Sequence, residues 1–199
     1  PKSRSSFDLS IALAILIAQG SIAQEPLDGV LVLGELALDG KIRSVRGVLP
    51  ALIAAYKAGI KRAFVPQENF AEASLMTQMH IIGFASLNEV LRFLRTGEIA
   101  IAPQLELTIP EDVNQPDFAD VAGQSAARFA AEVAASGGHH LLLIGPPGAG
   151  KTMIAARLPT ILPALNIEQA LEVTAVHSIA GTLGNRSPMS RLAPIVSPH

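Results

Sequence analysis

The chain has 199 residues, 49% of them apolar, with 15 Lys/Arg against 17 Asp/Glu and a net charge of −2. That suffices for one large domain or two small ones. Splitting at Pro103 gives 10 basic against 9 acidic residues before it and 5 against 8 after. Neither part has the basic excess of a stand-alone nucleic-acid binder, although a ring of subunits can line a basic pore that one subunit's total hides. The absence of cysteine excludes a disulfide framework, a Cys-based zinc site and a cysteine nucleophile, and fits a reducing cytoplasm.

Phe7–Gln19 is apolar on nearly every face, with Asp8 as N-cap and Gly20 as stop, which predicts a buried helix. Its most apolar part, Leu9–Ala18, spans about half the roughly 20 residues a bilayer requires, so no membrane partner is expected. The chain lacks an initiator Met and reads as a fragment. Gly29–Leu38 reads as strand, Leu38-Asp39-Gly40-Lys41 as a type I′ hairpin turn, and Lys41–Val45 as its partner. Helices are expected at Gly47–Ala58, Glu68–Met76 and Leu87–Arg95, alternating with strands Arg62–Val65 and His80–Phe84. That alternation predicts an α/β unit with at least one parallel pair, α+β in its first part.

Pro103, Pro110 and Pro116 with several acidic residues break the rhythm. They set a linker over 99–116 between a domain at 1–98 and a second at 117–199. After the linker come a helix over Phe118–Ala135, a stop at Gly137-Gly138, an apolar strand His140–Ile144, a helix Lys151–Leu158 cut by Pro159, and a helix Ile167–Thr174.

Between that strand and helix lies Gly145-Pro146-Pro147-Gly148-Ala149-Gly150-Lys151-Thr152, which matches G-x-x-x-x-G-K-[ST] at every required position. Glycines let a backbone curl until successive N–H groups face phosphate oxygens, and the helix that follows aims its positive end at the same place. Lys151 supplies an ammonium for the β- and γ-phosphates, and the Thr152 hydroxyl a ligand for Mg²⁺. ATP with Mg²⁺ is the expected cofactor. Hydrolysis also needs a Walker B acid at a strand end and an arginine finger. The acidic residues after Thr152, Glu168 and Glu172, fall on a predicted helix and read as solvated charges. No catalytic residue is identified.

Asp117-Phe118-Ala119-Asp120-Val121-Ala122-Gly123-Gln124, Gly137-Gly138-His139 and the glycine loop resemble an AAA+ ATPase. Leu158–Pro163 and Glu172–Ser178 are similar to its magnesium-chelatase-like branch. Gly34-Glu35-Leu36, Asp39-Gly40-Lys41, Ala58–Lys61 and Val65-Pro66-Gln67-Glu68-Asn69 resemble the proteolytic domain of Lon proteases. A Lon-protease-like domain followed by the start of a P-loop AAA+ domain is the order of the ComM/YifB family. That resemblance implies a cytoplasmic homo-oligomeric ATPase, a hexameric ring when intact, acting on DNA in branch migration during natural transformation. The alternatives are a chelatase-type ATPase acting on a protein complex, or a non-hydrolysing scaffold. Val121 and Gln124 stand where such ATPases receive adenine.

A Lon dyad needs a serine beside a lysine of lowered pKa. The resemblance places the serine at Ser6, followed by the bulky Phe7 and Asp8. It places the lysine position at Leu49, with Lys41 and Lys57 elsewhere, so peptidase activity is not expected. His139-His140 lack a third metal ligand at useful spacing, His177 and His199 are isolated, and Arg186 and Arg191 are candidates for contact with nucleic acid or a neighbouring subunit.

Overall fold

The computed structural model describes residues 6–98, 116–183, 189 and 191–196. The expected linker lies outside the described residues except for Pro116, as do Arg186 and His199. The chain divides into two compact units, Pro1–Thr108 with Thr174–Met189 and Ile109–Val173 with Ser190–His199. The fold is mixed α/β with a parallel sheet. Among the described residues no helix is long and apolar enough to cross a membrane.

The first unit is built on three parallel strands in the order β1 (Val30–Val32), β4 (Arg62–Pro66), β5 (His80–Phe84). A two-stranded antiparallel ribbon, β2 (Glu35–Leu36) with β3 (Ile42–Arg43), stands apart. β4 is central and buried from Ala63 to Pro66, as a strand covered on both faces must be. Phe64 joins Leu9 and Leu13 of α1 (Asp8–Ala18), Ile82 and Phe84 of β5, and Val90 of α4 (Leu87–Thr96). The rings of Phe64, Phe84 and Phe93 meet at 5.1–5.7 Å, edge-on or tilted as their quadrupoles favour. Alternation sends Ala63 and Val65 to the opposite face. Leu49 and Leu52 of α2 (Val48–Lys57) and Ala73 of α3 (Phe70–Ala73) are also fully buried in this unit.

The expected strand Gly29–Leu38 is broken in two. At Gly34, φ is +153°, and a Cβ would come within 2.8 Å of Ile42 Cγ2, so the chain turns there and re-pairs with β3. The hairpin is not type I′, which requires positive φ at both central residues. Asp39 has no positive φ and Gly40 does, at 81°. The Gly40 N–H donates to the Ala37 carbonyl and the Ala37 N–H to the Lys41 carbonyl, a three-residue loop closed by a left-handed glycine. Asp39 Oδ1 accepts from the Lys41 N–H at 3.1 Å. That bond, with the Lys41 charge beside it, holds the Asp39 carboxyl below its ordinary value.

α1 is not buried all round. Leu9 and Leu13 are, while Phe7, Ile11 and Ile15 are more than half exposed, because the unit covers one side of the helix only. Phe7, not Asp8, precedes the first turn, and no side chain caps it. The helix expected over Glu68–Met76 is a 3₁₀ turn, Gln67–Asn69, followed by the four residues of α3. There the side chains serve another backbone. Asn69 accepts from the Val45 N–H at 2.9 Å and donates to the Val45 carbonyl at 3.0 Å. Glu72 Oε1 accepts from the Leu49 N–H at 2.9 Å, at the start of α2. Both side chains are buried, and their polar atoms take the part of a strand partner and of a helix cap.

In the second unit, Asp117 and Asp120 form a capping box around a 3₁₀ turn, Phe118–Asp120. That turn ends before Val121, and Gly123 and Gln124 follow with positive φ, so the helix expected over Phe118–Ala135 is only α5, Ser125–Gly137. Phe118, Val121, Ala131 and Ile154 form the core of this unit. Residues 140–144 form no ladder strand. Leu141 and Leu143 pack on the core while Leu142 and Ile144 are 81% and 87% exposed: a strand-like alternation with no described strand alongside to accept its hydrogen bonds. α6 is Lys151–Arg157. α7 runs Ile167–Ala180 rather than to Thr174, its residues from Thr174 on counted with the first unit; it is begun by reciprocal bonds between Asn166 and Gln169 and ended at Gly181, whose φ is 70°.

Candidate functional site

The second unit draws its site from the loop between residues 144 and 151. Pro146 and Ala149 close a turn, the Ala149 N–H donating to the Pro146 carbonyl at 3.3 Å. Gly148 and Gly150 take φ of 81° and 79°, values that cost an L-residue with a side chain about 1–2 kcal/mol. Gly145 has no positive φ. The loop is therefore curled, and α6 starts directly after Gly150, whose carbonyl accepts from the Ile154 N–H at 3.0 Å.

Lys151 folds back over this curl. Its Nζ donates to the Gly145 carbonyl at 2.8 Å and the Pro146 carbonyl at 2.7 Å, so the ammonium lies across the loop it follows. Thr152 is exposed on the first turn of α6. Pro146, Pro147 and Gly148 are exposed as well, and Ala149 is half-buried.

Gln124 is attached to the loop. Its Nε2 donates to the Ala149 carbonyl at 3.0 Å, and among the described residues it is the non-glycine residue with positive φ, 54°. Val121 is fully buried, and its carbonyl accepts from Arg128 Nη1 at 3.2 Å. Arg128 lies over the Phe118 ring, 5.9 Å from its centroid. Arg157 approaches Asp120 at 4.0 Å and donates to the Met153 carbonyl, and Thr160 accepts from the Phe118 N–H. The Thr160 bond and the Arg157–Asp120 approach tie the end of α6 and the turn after it to the Asp117–Val121 segment.

The remaining candidates are dispersed. Glu168 and Glu172 are exposed on α7. His139 and His140 are exposed, and the described residues hold no cluster of three side chains able to bind a metal. His177 Nδ1 meets Thr182 Oγ1 at 2.9 Å. The Arg191 guanidinium donates to the Leu165 carbonyl. In the first unit Leu49 is fully buried, Lys41 pairs with Asp39, and Lys57 is exposed at the end of α2. Sequence reasoning passed over one feature, a groove of about 440 Å³ along α5 beside Gln124, lined by Arg128, Phe129 and Glu132. The spacing Gln124, Arg128, Glu132, one helical turn each, was its signal.

Residues 117–199 match the family model described as magnesium chelatase, subunit ChlI, and residues 1–69 match a second described as subunit ChlI of Mg-chelatase. An uncharacterized protein of Mycobacterium tuberculosis is 47% identical over 199 residues, which cover all of this chain and 39% of that protein. YifB of Salmonella typhimurium is 38% identical over 201 residues, covering all of this chain and 39% of YifB. The competence protein ComM of Haemophilus influenzae is 36% identical over 184 residues, 90% of this chain and 36% of ComM. A partial likeness extends to Lon protease 1 of Herpetosiphon aurantiacus, 27% identical over 124 residues, 59% of this chain and 14% of the protease. The chain thus spans about two fifths of the length of the curated relatives it matches throughout. By these matches and a likeness to YifB that runs along the whole of this chain, the chain belongs to the ComM/YifB family of magnesium-chelatase-like proteins.

Proposed function

We propose that this chain carries the phosphate seat of an ATP-dependent motor of the AAA+ kind. The observation behind the reading is the curled Gly145–Gly150 loop with the Lys151 ammonium folded across it at the start of α6. Gly145, Pro146, Pro147, Gly148, Ala149 and Gly150 would hold the phosphates by their backbone, Lys151 by charge, and Thr152 would ligate Mg²⁺. These residues fit the group: the left-handed glycines carry no side chain into the curl, and Thr152 is exposed beside it. When bound, Mg²⁺ offsets the negative charge of the phosphates. The described residues supply binding and orientation. Glu168 and Glu172, exposed on α7, offer no acid at a strand end to orient water.

The intact proteins of this kind would then be homo-oligomeric, hexameric ATPases that remodel branched DNA. Support for DNA as the partner comes from the likeness to a competence protein. A second reading, an ATPase working on a protein complex, is favoured by the two chelatase-subunit models. The first unit serves as a scaffold of Lon-like fold whose dyad lysine is replaced by the buried Leu49.

Calorimetric titration with MgATP tests the seat. Lys151→Ala should lower affinity at least a hundredfold, because it deletes the charge at the β- and γ-phosphates. Undiminished affinity in that variant would refute the proposal. Stimulation of ATP turnover by branched DNA in a full-length relative separates the two readings of the partner.

A further inference from the structure

The charge of the first unit is balanced in total and segregated along the chain. Residues 40–67 hold six Lys or Arg and no Asp or Glu. Two of the six, Lys41 and Arg43, pair with Asp39 and Glu35 on the ribbon. Among the described residues Lys57, Lys61 and Arg62 form no ion pair, and all three are exposed. Cations left side by side without a counter-charge do nothing for folding. They present a local positive potential that an anion can meet.

The fold draws these three to one end of the parallel sheet. α2 closes on Gly59, whose φ is 89°. The Gly59 N–H donates to the Tyr56 carbonyl and the Ile60 N–H to the Ala55 carbonyl, the two bonds of a Schellman motif. Lys57 precedes that reversal, and Lys61 and Arg62 follow it into β4. The register of β4 with β5 sets Arg62 opposite His80, and the His80 N–H donates to the Lys61 carbonyl at 2.8 Å. Thr77 and Gln78 are exposed in the turn before β5, as is His80 itself. The acids of this end, Glu25 and Asp28, lie before β1, and the Asp28 carboxyl accepts from Gln24 Nε2. The cationic side is therefore the start of β4 and β5 with the end of α2.

We infer that this end of the first unit, through Lys57, Lys61, Arg62 and His80, is a docking surface for the phosphate backbone of a duplex nucleic acid. The choice of partner rests on the DNA reading above and carries it to a unit otherwise assigned the part of a scaffold. A duplex offers one negative charge per about 1.7 Å of its axis, so a few fixed cations find phosphates without reading bases. Backbone contacts come from Lys, Arg, Thr, Gln and Tyr side chains, the types exposed here. An acidic protein would need a large apolar anchor at the centre of its contact. The exposed neighbours Ala58, Gly59, Thr77 and Gln78 are small or polar.

Fluorescence anisotropy of labelled duplex DNA tests this, with the 199-residue chain titrated in the absence of nucleotide at a series of salt concentrations. Each phosphate contact contributes about 0.9 to the steepness of log affinity against log salt. Lys57→Gln and Lys61→Gln should each lower that steepness by about 0.9, and the double variant by about 1.8. Duplexes of unrelated sequence should respond alike. Both side chains are exposed, so the substitutions spare the core. Lys41→Gln removes the same charge from the ribbon, where Asp39 already pairs it, and should leave the salt dependence unchanged. The inference is overturned if the double variant keeps the parent's salt dependence, if Lys41→Gln lowers it equally, or if duplex does not bind at low salt. Binding of polyglutamate without binding of duplex would also overturn it and make the partner an acidic protein. Failure of the DNA reading itself looks different: branched DNA would not alter ATP turnover in a full-length relative, while this chain still bound duplex through Lys57 and Lys61.

Discussion

β4 and residues 140–144 are both short apolar stretches, and they meet opposite fates. In β4, Ala63, Phe64 and Val65 are 0–3% exposed, with β1 and β5 paired on either side. In 140–144, Leu141 and Leu143 find the core while Leu142 and Ile144 stand in solvent. Both are continuous apolar runs, and among the described residues only β4 has neighbours to complete a ladder. A strand is thus a property of a sheet. The glycine loop keeps its curl by other means: the Pro146–Ala149 turn, the Lys151 ammonium on two carbonyls, and the Gln124 amide.

That comparison can be broken by matched substitutions. Phe64→Ala should cost about 3–5 kcal/mol, since it empties a site in contact with two other rings. Leu142→Ala, at 81% exposure, should change stability by no more than about 0.5 kcal/mol. Chemical denaturation of both variants checks the pair, and equal costs would mean that the two stretches are packed alike.

A smaller effect sharpens the account of the first unit. Glu72→Ala should cost about 2 kcal/mol, because it strips the Leu49 N–H of its acceptor at the start of α2 and leaves that group buried. Glu72→Gln keeps an acceptor and should recover most of the loss. A denaturation midpoint unchanged in Glu72→Ala would show that α2 needs no such cap.

The parts of this chain legible in its sequence are those specified locally. The parallel pairs follow from the alternation of elements, and α4 from Ser86, whose Oγ accepts from the Glu89 N–H, and from Gly97. The glycine motif was visible from its spacing alone. What escaped depends on distant residues. The break at Gly34 is set by Ile42 coming close, and the bonds of Asn69 to Val45 span 24 residues. The exposed side of α1 reflects what the unit leaves uncovered. Gln124 at positive φ could not be foreseen, because glutamine has no preference for that region and its side-chain amide donates a hydrogen bond to the Ala149 carbonyl, 25 residues away.

The smallest expected effect lies at the hairpin turn. The Asp39 carboxyl is held low by the Lys41 N–H and charge, so its contribution favours the folded state above the carboxyl's unfolded value. That contribution is lost as pH falls through the lower folded value. Asp39→Asn should lower stability slightly at neutral pH and leave it nearly unchanged at acid pH below the folded value, so that the acid limb of the stability profile flattens. A variant equally destabilised at neutral and acid pH would show that the charge has no part in the turn.

The central claim is that the curled loop is a seat for phosphate. Amide NMR of the isotopically labelled chain, with MgATP added against MgCl₂ alone, addresses it at the atoms concerned. The account predicts that the N–H signals of Gly148, Ala149, Gly150 and Lys151 shift with MgATP and saturate together. If those signals stay fixed while ATP is present in excess, the loop is a turn and nothing more.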